Sequence, residues 1–217
     1  MSDAVALLFE AIARGDVATV RSILADDPSR AGARDARGVS AVLQARYHRQ
    51  DMALHALLAA RPALDVFEAA ALGDLERLGA ALDEDPARVG AFSPDGFTPL
   101  HLAAYFGQRA TTALLLDRGA DPQAASTNDA RLQPLHSAAA SGRCDLVALL
   151  LEREAPPDGQ QQGGFTALHA AVKRGDMEMV GLLMDHGADP ALKDDEGHDA
   201  VSYAGADSRL RFLLGRP

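Results

Sequence analysis

The side chains best equipped for chemistry in this 217-residue chain are its seven histidines and its one cysteine. Three of the histidines, His101, His136 and His169, recur at intervals of 35 and 33 residues. Imidazole is the commonest metal ligand and the usual general base, so the series must be tested against a metal centre. A zinc ion needs ligand atoms about 2 Å away that converge on one point. Equivalent residues of successive helical modules stand on helices roughly 8–10 Å apart and cannot converge in that way. The expected role is local, each imidazole bonding the backbone and hydroxyl of its own helix cap. His48, His55, His186 and His198 show no ligand spacing with one another or with Cys144. Cys144 opens a predicted helix, where the dipole favours a thiolate. Its matching positions hold Arg109 and Met177, so an inert, partly buried thiol is expected there. The acidic runs Asp83-Glu84-Asp85 and Asp194-Asp195-Glu196 lack calcium-loop spacing and read as solvated ends and tips. The sequence holds no phosphate-binding loop, GxGxxG or GxSxG. No catalytic residue, metal or cofactor is expected.

The element that positions His101 is Gly96-Phe97-Thr98-Pro99-Leu100-His101-Leu102-Ala103-Ala104. Thr98 suits an N-cap, because its oxygen can accept from a first-turn N–H that has no helical partner. Pro99 falls at the first helical position, where its missing N–H costs nothing. Leu100, Ala103 and Ala104 line one face at helical spacing, and Asp95-Gly96 marks a tight turn just before. Two further stretches are copies, Leu132-Gln133-Pro134-Leu135-His136-Ser137-Ala138 and Phe165-Thr166-Ala167-Leu168-His169-Ala170-Ala171.

A second helix follows each copy. Leu114, Leu115 and Leu116 precede Gly119-Ala120-Asp121-Pro122, and Gly187-Ala188-Asp189-Pro190 closes a later unit; glycine just past a helix end is free to turn left-handed. In the first half, Leu8-Phe9-Glu10-Ala11 matches Val66-Phe67-Glu68-Ala69, and Gly15-Asp16 matches Gly73-Asp74, each 58 residues on. Between them lies a degraded unit with Arg49 where its neighbours carry the helix-breaking glycine. Val42 to Val66 is only 24 residues, and Arg61-Pro62-Ala63 is too short for a β-hairpin, so a plain helix–helix connection is expected there. Residues 124–131 form an enlarged turn in which Arg131 replaces the turn glycine and Gln133 the capping threonine, so that turn should differ from its neighbours. Residues 197–217 read as a shortened, more charged closing unit, as an array needs at its end.

The net charge of −10 argues against a nucleic acid or an anionic membrane as partner. A single cysteine excludes an intramolecular disulfide and fits a reducing compartment. Residues 1–15 include Asp3 and Glu10 with no basic segment, unlike a signal peptide. No apolar run approaches the roughly 20 residues of a membrane span. The expectation is a soluble, cytoplasmic protein.

A period near 33 residues carrying Thr98-Pro99-Leu100-His101 and Gly119-Ala120-Asp121-Pro122 resembles the ankyrin repeat. The resemblance is strongest over residues 95–190 and looser elsewhere. It implies an all-α repeat solenoid of ankyrin-type helix pairs with β-hairpin fingers. About seven stacked units would make one array over 1–217, at about 2–37, 38–62, 63–94, 95–128, 129–161, 162–194 and 195–217. It further implies a non-enzymatic scaffold or adaptor whose concave face binds another protein. Aligned with the family's binding positions are Phe92, Asp95, Phe97, Tyr105 and Phe106, then Asn128 and Arg131, then Gln162, Phe165, Lys173 and Arg174. Tyr105 and Phe106 stand at the centre of this set, in a chain only 5% aromatic. The broken periodicity leaves an alternative, an enzyme-regulating or small-ligand-binding module with its site at 46–64 or 124–133. Weak self-association through the same aromatics is a third reading.

Overall fold

The structure, a computed structural model, describes residues 3–215. Met1, Ser2, Arg216 and Pro217, at the edges of the expected outer units, lie outside the described residues. Among the described residues the chain forms fourteen α-helices: α1 (Asp3–Arg14), α2 (Val17–Asp26), α3 (Ala41–Tyr47), α4 (Asp51–Ala59), α5 (Val66–Leu72), α6 (Leu75–Glu84), α7 (Pro99–Tyr105), α8 (Arg109–Asp117), α9 (Pro134–Ala140), α10 (Cys144–Glu152), α11 (Ala167–Arg174), α12 (Met177–Asp185), α13 (Ala200–Ala204) and α14 (Ser208–Leu213). Each odd-numbered helix packs antiparallel to the one that follows, and the odd-numbered helices stack in one row. No helix among the described residues is long and apolar enough to cross a membrane.

The starts of these helices follow from side chains that satisfy first-turn N–H groups. Thr98 accepts from the His101 N–H, Ser40 from Leu43, Asp65 from Phe67 and Glu68, and Asp74 from Arg77. Three second helices, α4, α8 and α10, lack such a cap, and the residues before them are long: Gln50, Gln108 and Arg143. These side chains lie back over the preceding pair. Gln108 donates to the Ala71 carbonyl at 3.3 Å and Arg143 to the Gly107 carbonyl at 3.3 Å. A Cβ on Gly73 would stand 2.4 Å from the Gln108 oxygen, and one on Gly107 2.7 Å from the Arg143 guanidinium carbon. Glycine therefore serves twice there, for its positive φ and for the room it leaves. Arg49 breaks the pattern, holding a left-handed φ of 55° with a full side chain. The matching residue of the next pair is Asp74, which caps its own helix and does not reach back.

The expected β-hairpin fingers are not formed as strands. Among the described residues there is one isolated antiparallel bridge, Arg34 to Ser40, and the fingers otherwise close as single turns. In one, Ser93 N–H donates to Phe97 O and Gly96 N–H to Ser93 O, both at 2.8 Å. Five residues are too few for a ladder. The fingers are held by neighbouring fingers instead: Thr127 N–H donates to Gly96 O at 3.0 Å, Gln162 N–H to Ala130 O at 3.0 Å, and Asp195 N–H to Gly163 O at 2.9 Å. The enlarged turn does differ, closing from Ser126 N–H to Leu132 O at 2.7 Å with Arg131 at φ 48°.

Residues 60–65 join α4 to α5 directly, without a finger. The interior divides at that point. Leu8, Ile12, Val20 and Leu57 belong to a core built by α1–α4, and Val66, Leu100, Leu135, Leu146 and Leu168 to a longer core that begins at α5. A small third cluster, Val39, Leu43, Ala71 and Leu102, bridges the two halves, with Tyr47, Phe67, Phe97 and Phe106 packed on it. A polar bond also crosses the junction, Arg34 to Asp65 at 2.7 Å, and Asp65 N–H donates within its own helix cap to the buried Glu68 carboxylate at 2.7 Å.

Two stability outcomes follow from this packing. Leu100 is fully buried, so Leu100→Ala should cost about 2–5 kcal/mol in a urea melt. Arg49→Gly removes left-handed strain at the expense of backbone entropy, and should stabilise the chain by about 0.5–1 kcal/mol in the same measurement.

Candidate protein-binding groove

The three repeated histidines are structural and do not meet. Thr98 N–H donates to His101 Nδ1 at 3.3 Å, and the Thr98 hydroxyl stands 2.7 Å from the same nitrogen. With Nδ1 accepting, the proton sits on Nε2, which donates to the Leu132 carbonyl at 2.7 Å in the next turn. His136 accepts from Gln133 N–H at 3.1 Å and donates to Gly159 O at 2.9 Å. His169 repeats the bonds to its own cap threonine, but its Nε2 finds no partner. The described residues contain no cluster of three His, Cys, Asp or Glu side chains arranged to hold a metal. Cys144, half-buried at the start of α10, has its thiol pKa pushed up by burial and then by Asp176, Glu178 and Asp145. It is therefore kept protonated.

Several hollows lie over α3, α5 and α7. With no finger before α5, the turn at 35–39 comes against the turn at 93–97; a Cβ on Gly38 would stand 3.1 Å from Pro94. Beneath them, α5 presents the buried Ala71, and small residues there let side chains of α3 reach across to the α7 region. Tyr47 makes the crossing. Its hydroxyl donates to Asp95 at 2.8 Å, and its ring lies 5.4 Å from Phe106. Burial, then the Asp95 charge, raises the Tyr47 pKa, so the phenol remains a donor. Phe106 meets Tyr105 edge-on at 5.1 Å and carries the Arg46 guanidinium 4.7 Å above its ring, a favourable cation–π geometry.

Three hollows adjoin along this face. One of about 630 Å³ lies on the turn side, against Arg37, Gln44, Tyr47, Asp95 and Asn128. An apolar slot of about 250 Å³ is lined by Tyr47, Phe97, Leu102, Tyr105, Leu132 and Ser137. A third of about 300 Å³ lies at the helix ends, among Arg46, Arg49, Asp51, Tyr105, Phe106 and Arg143. Tyr47 lines all three.

The residues singled out from sequence divide into groups. Asp95, Phe97, Tyr105, Phe106 and Asn128 come together around Tyr47, with Asn128 donating to the Asp95 carbonyl at 2.8 Å. Phe92 is exposed and lines none of these hollows. Arg131 is exposed on the enlarged turn. Gln162, Phe165 and Lys173 border a separate hollow with Asp194 and Tyr203, where Phe165 stacks on His169 at 5.1 Å. Arg174 donates to the Ala139 and Ala140 carbonyls at 2.9 Å and ties its unit to the one before. Arg46, Tyr47 and Arg49 are not among the residues aligned with the family's binding positions; they begin the irregular 46–64 segment of the alternative reading. The available signal was the 24-residue spacing from Val42 to Val66, which shortens the path from α3 to α7.

These stacked helix pairs, two of them tied to the next through a cap imidazole, define a helical repeat protein. A family model described as ankyrin repeats, in three copies, matches residues 66–162 and 135–215. The chain belongs to the ankyrin-repeat family. The match begins at Val66, where the longer core also begins. The chain is also 44% identical over 63 residues to the probable E3 ubiquitin-protein ligase XBOS31 of Oryza sativa subsp. japonica. That stretch is 29% of this chain and 14% of the rice protein, so the chain spans only a small part of that relative's length.

The buried imidazoles predict an acid response. Burial pushes the pKa of His101 and of His136 down from 6.5 to about 4. Between those values the unfolded chain binds more protons than the folded one. Their contribution is therefore complete above about pH 6.5 and is lost as pH falls through that window toward 4, on the order of 3 kcal/mol for each. Glu68, whose pKa is raised by burial, acts in the opposite sense. Urea midpoints should drop steadily from pH 7 to pH 4.5. His101→Gln, which keeps an acceptor at the cap, should flatten the slope; an unchanged slope would remove His101 as the cause.

Proposed function

We propose that this chain is a protein-interaction scaffold or adaptor, without catalytic activity of its own, whose groove over α3, α5 and α7 holds an extended segment of another protein. The observation that carries this reading is that Tyr47 lines all three hollows. A segment lying along the face meets polar groups at the turns, an apolar slot in the middle and cations at the helix ends. Interfaces are commonly anchored by aromatic residues in desolvated pockets, and Tyr105, at 39% exposed, is positioned to supply such an anchor. The family to which the chain belongs consists mainly of interaction modules, which supports the same reading. The likeness to the rice protein supports the repeat kinship; ligase activity is stated of that protein.

We further propose that the chain is one array of seven units, divided at about 38, 63, 95, 129, 162 and 195. The seven helix pairs support that division. The second hollow, at Phe165, Lys173 and Gln162, is a separate surface that extends the contact to a longer partner. The charge of −10 supports a protein over a nucleic acid or an anionic membrane, and we place the protein in the cytoplasm.

Affinity capture from the native host, followed by mass spectrometry, identifies the partner. Tyr105→Ala should then weaken the complex at least tenfold, as loss of an aromatic anchor does, with the helical circular dichroism unchanged. Phe106→Ala is the poorer test, because Phe106 supports Tyr47 and Arg46. Full binding by Tyr105→Ala would place the partner elsewhere.

A further inference from the structure

We infer that the hollow at the helix ends receives a side-chain carboxylate of the bound segment, an Asp or Glu one to three residues from the apolar side chain that fills the slot. This rests on the groove reading above and adds the partner's chemistry to it. Against the chain's overall charge of −10, the walls of this hollow gather three guanidinium groups, Arg46, Arg49 and Arg143. Their local anions are few. Asp51 lines the hollow, and Asp145 stands 3.5 Å from Arg143. Three cations less two anions leave one positive charge, which suits a carboxylate better than a doubly charged phosphate.

The cations are also incompletely used. Arg46 rests on the Phe106 ring with its Nε buried and without an acceptor, and Arg49 makes no ion pair among the described residues. A buried donor without a partner is unfavourable, and Arg49, exposed and without an ion pair among the described residues, can take an incoming carboxylate. Tyr105 and Phe106 form the aromatic part of its wall. Tyr105 also lines the apolar slot, so one extended chain can fill both; side chains two residues apart in such a chain lie about 6–7 Å from each other on one face.

The test is selection of a random linear peptide library displayed on phage against the full chain, in parallel with Arg46→Gln/Arg49→Gln and with Arg49→Gln alone. The single variant guards against misfolding, since it leaves the Arg46–Phe106 stack in place, and circular dichroism checks both. The native chain should enrich peptides with an acidic residue at fixed spacing from an aliphatic or aromatic one. For a synthetic peptide so selected, replacing its acid by the amide should weaken binding to the native chain about tenfold, and to the double variant hardly at all. Peptides with an apolar determinant but no acidic preference would keep the groove and overturn the carboxylate site. An acidic preference that survives in the double variant would overturn it as well. Failure to enrich any peptide would count against the groove itself.

Discussion

A helix pair with apolar residues on both broad faces cannot be stable alone; it must be covered on each side by a pair like itself. The arrangement of this molecule follows from that constraint. Register between pairs is set where van der Waals packing alone would be permissive. A cap imidazole spends one nitrogen on its own unit and the other on a carbonyl of the next, as His101 does between Thr98 and Leu132. Such a bond requires a neutral ring with a fixed tautomer, which burial enforces. The same economy appears at α8 and α10. Their first side chains, Gln108 and Arg143, forgo capping their own helices and bond backwards across a glycine. Stability is thus placed in the interfaces, and the individual helices, several only seven residues long, depend on it.

An omission in such a stack has consequences on both sides of it. Without a finger before α5, the turns on either side close up at Gly38 and Pro94, and the core divides between α4 and α5. On the concave face the gap is bridged by side chains. Tyr47 crosses to Asp95 and Phe106, over an α5 whose Ala71 is too small to obstruct it. The groove is therefore built by residues from pairs that a regular array would keep apart. The Arg34–Asp65 pair, both partners partly exposed at 2.7 Å, adds little to stability by itself. The same guanidinium stands 4.0 Å from the buried Glu68.

Much of this was legible in the residues. Thr98-Pro99 and Thr166 announce helix starts, the recurrent His marks the period, and 58-residue self-matches reveal the early pairs. Each of these signals is local or periodic, and short-range physics decides it. The contacts that shape the groove are neither. Tyr47 lies in the least regular unit and bonds a residue 48 positions away, and nothing in its own neighbourhood distinguishes it from a core aromatic. The outer half of the imidazole bond was hidden for the same reason, since the cap is written in four adjacent residues and the carbonyl acceptor in the next unit. The family pattern implies hairpin fingers, whereas a five-residue turn such as 93–97 closes with two backbone bonds.

Arg49 joins these threads. A glycine at that position would relieve a left-handed backbone, as it does at Gly15, Gly73, Gly107, Gly142 and Gly175. The site can tolerate a side chain because the pair stacked on it sends no residue back: Asp74 stays with its own helix. The irregularity that removed the finger and shortened the spacing thus also freed this turn to carry a cation, beside Arg46 and at the open end of the groove. On the proposed reading, strain held at a surface turn with no packing to account for it fits a trade of stability for binding. On the same reading, the degraded unit gives up regular stacking for a surface that regular stacking cannot make.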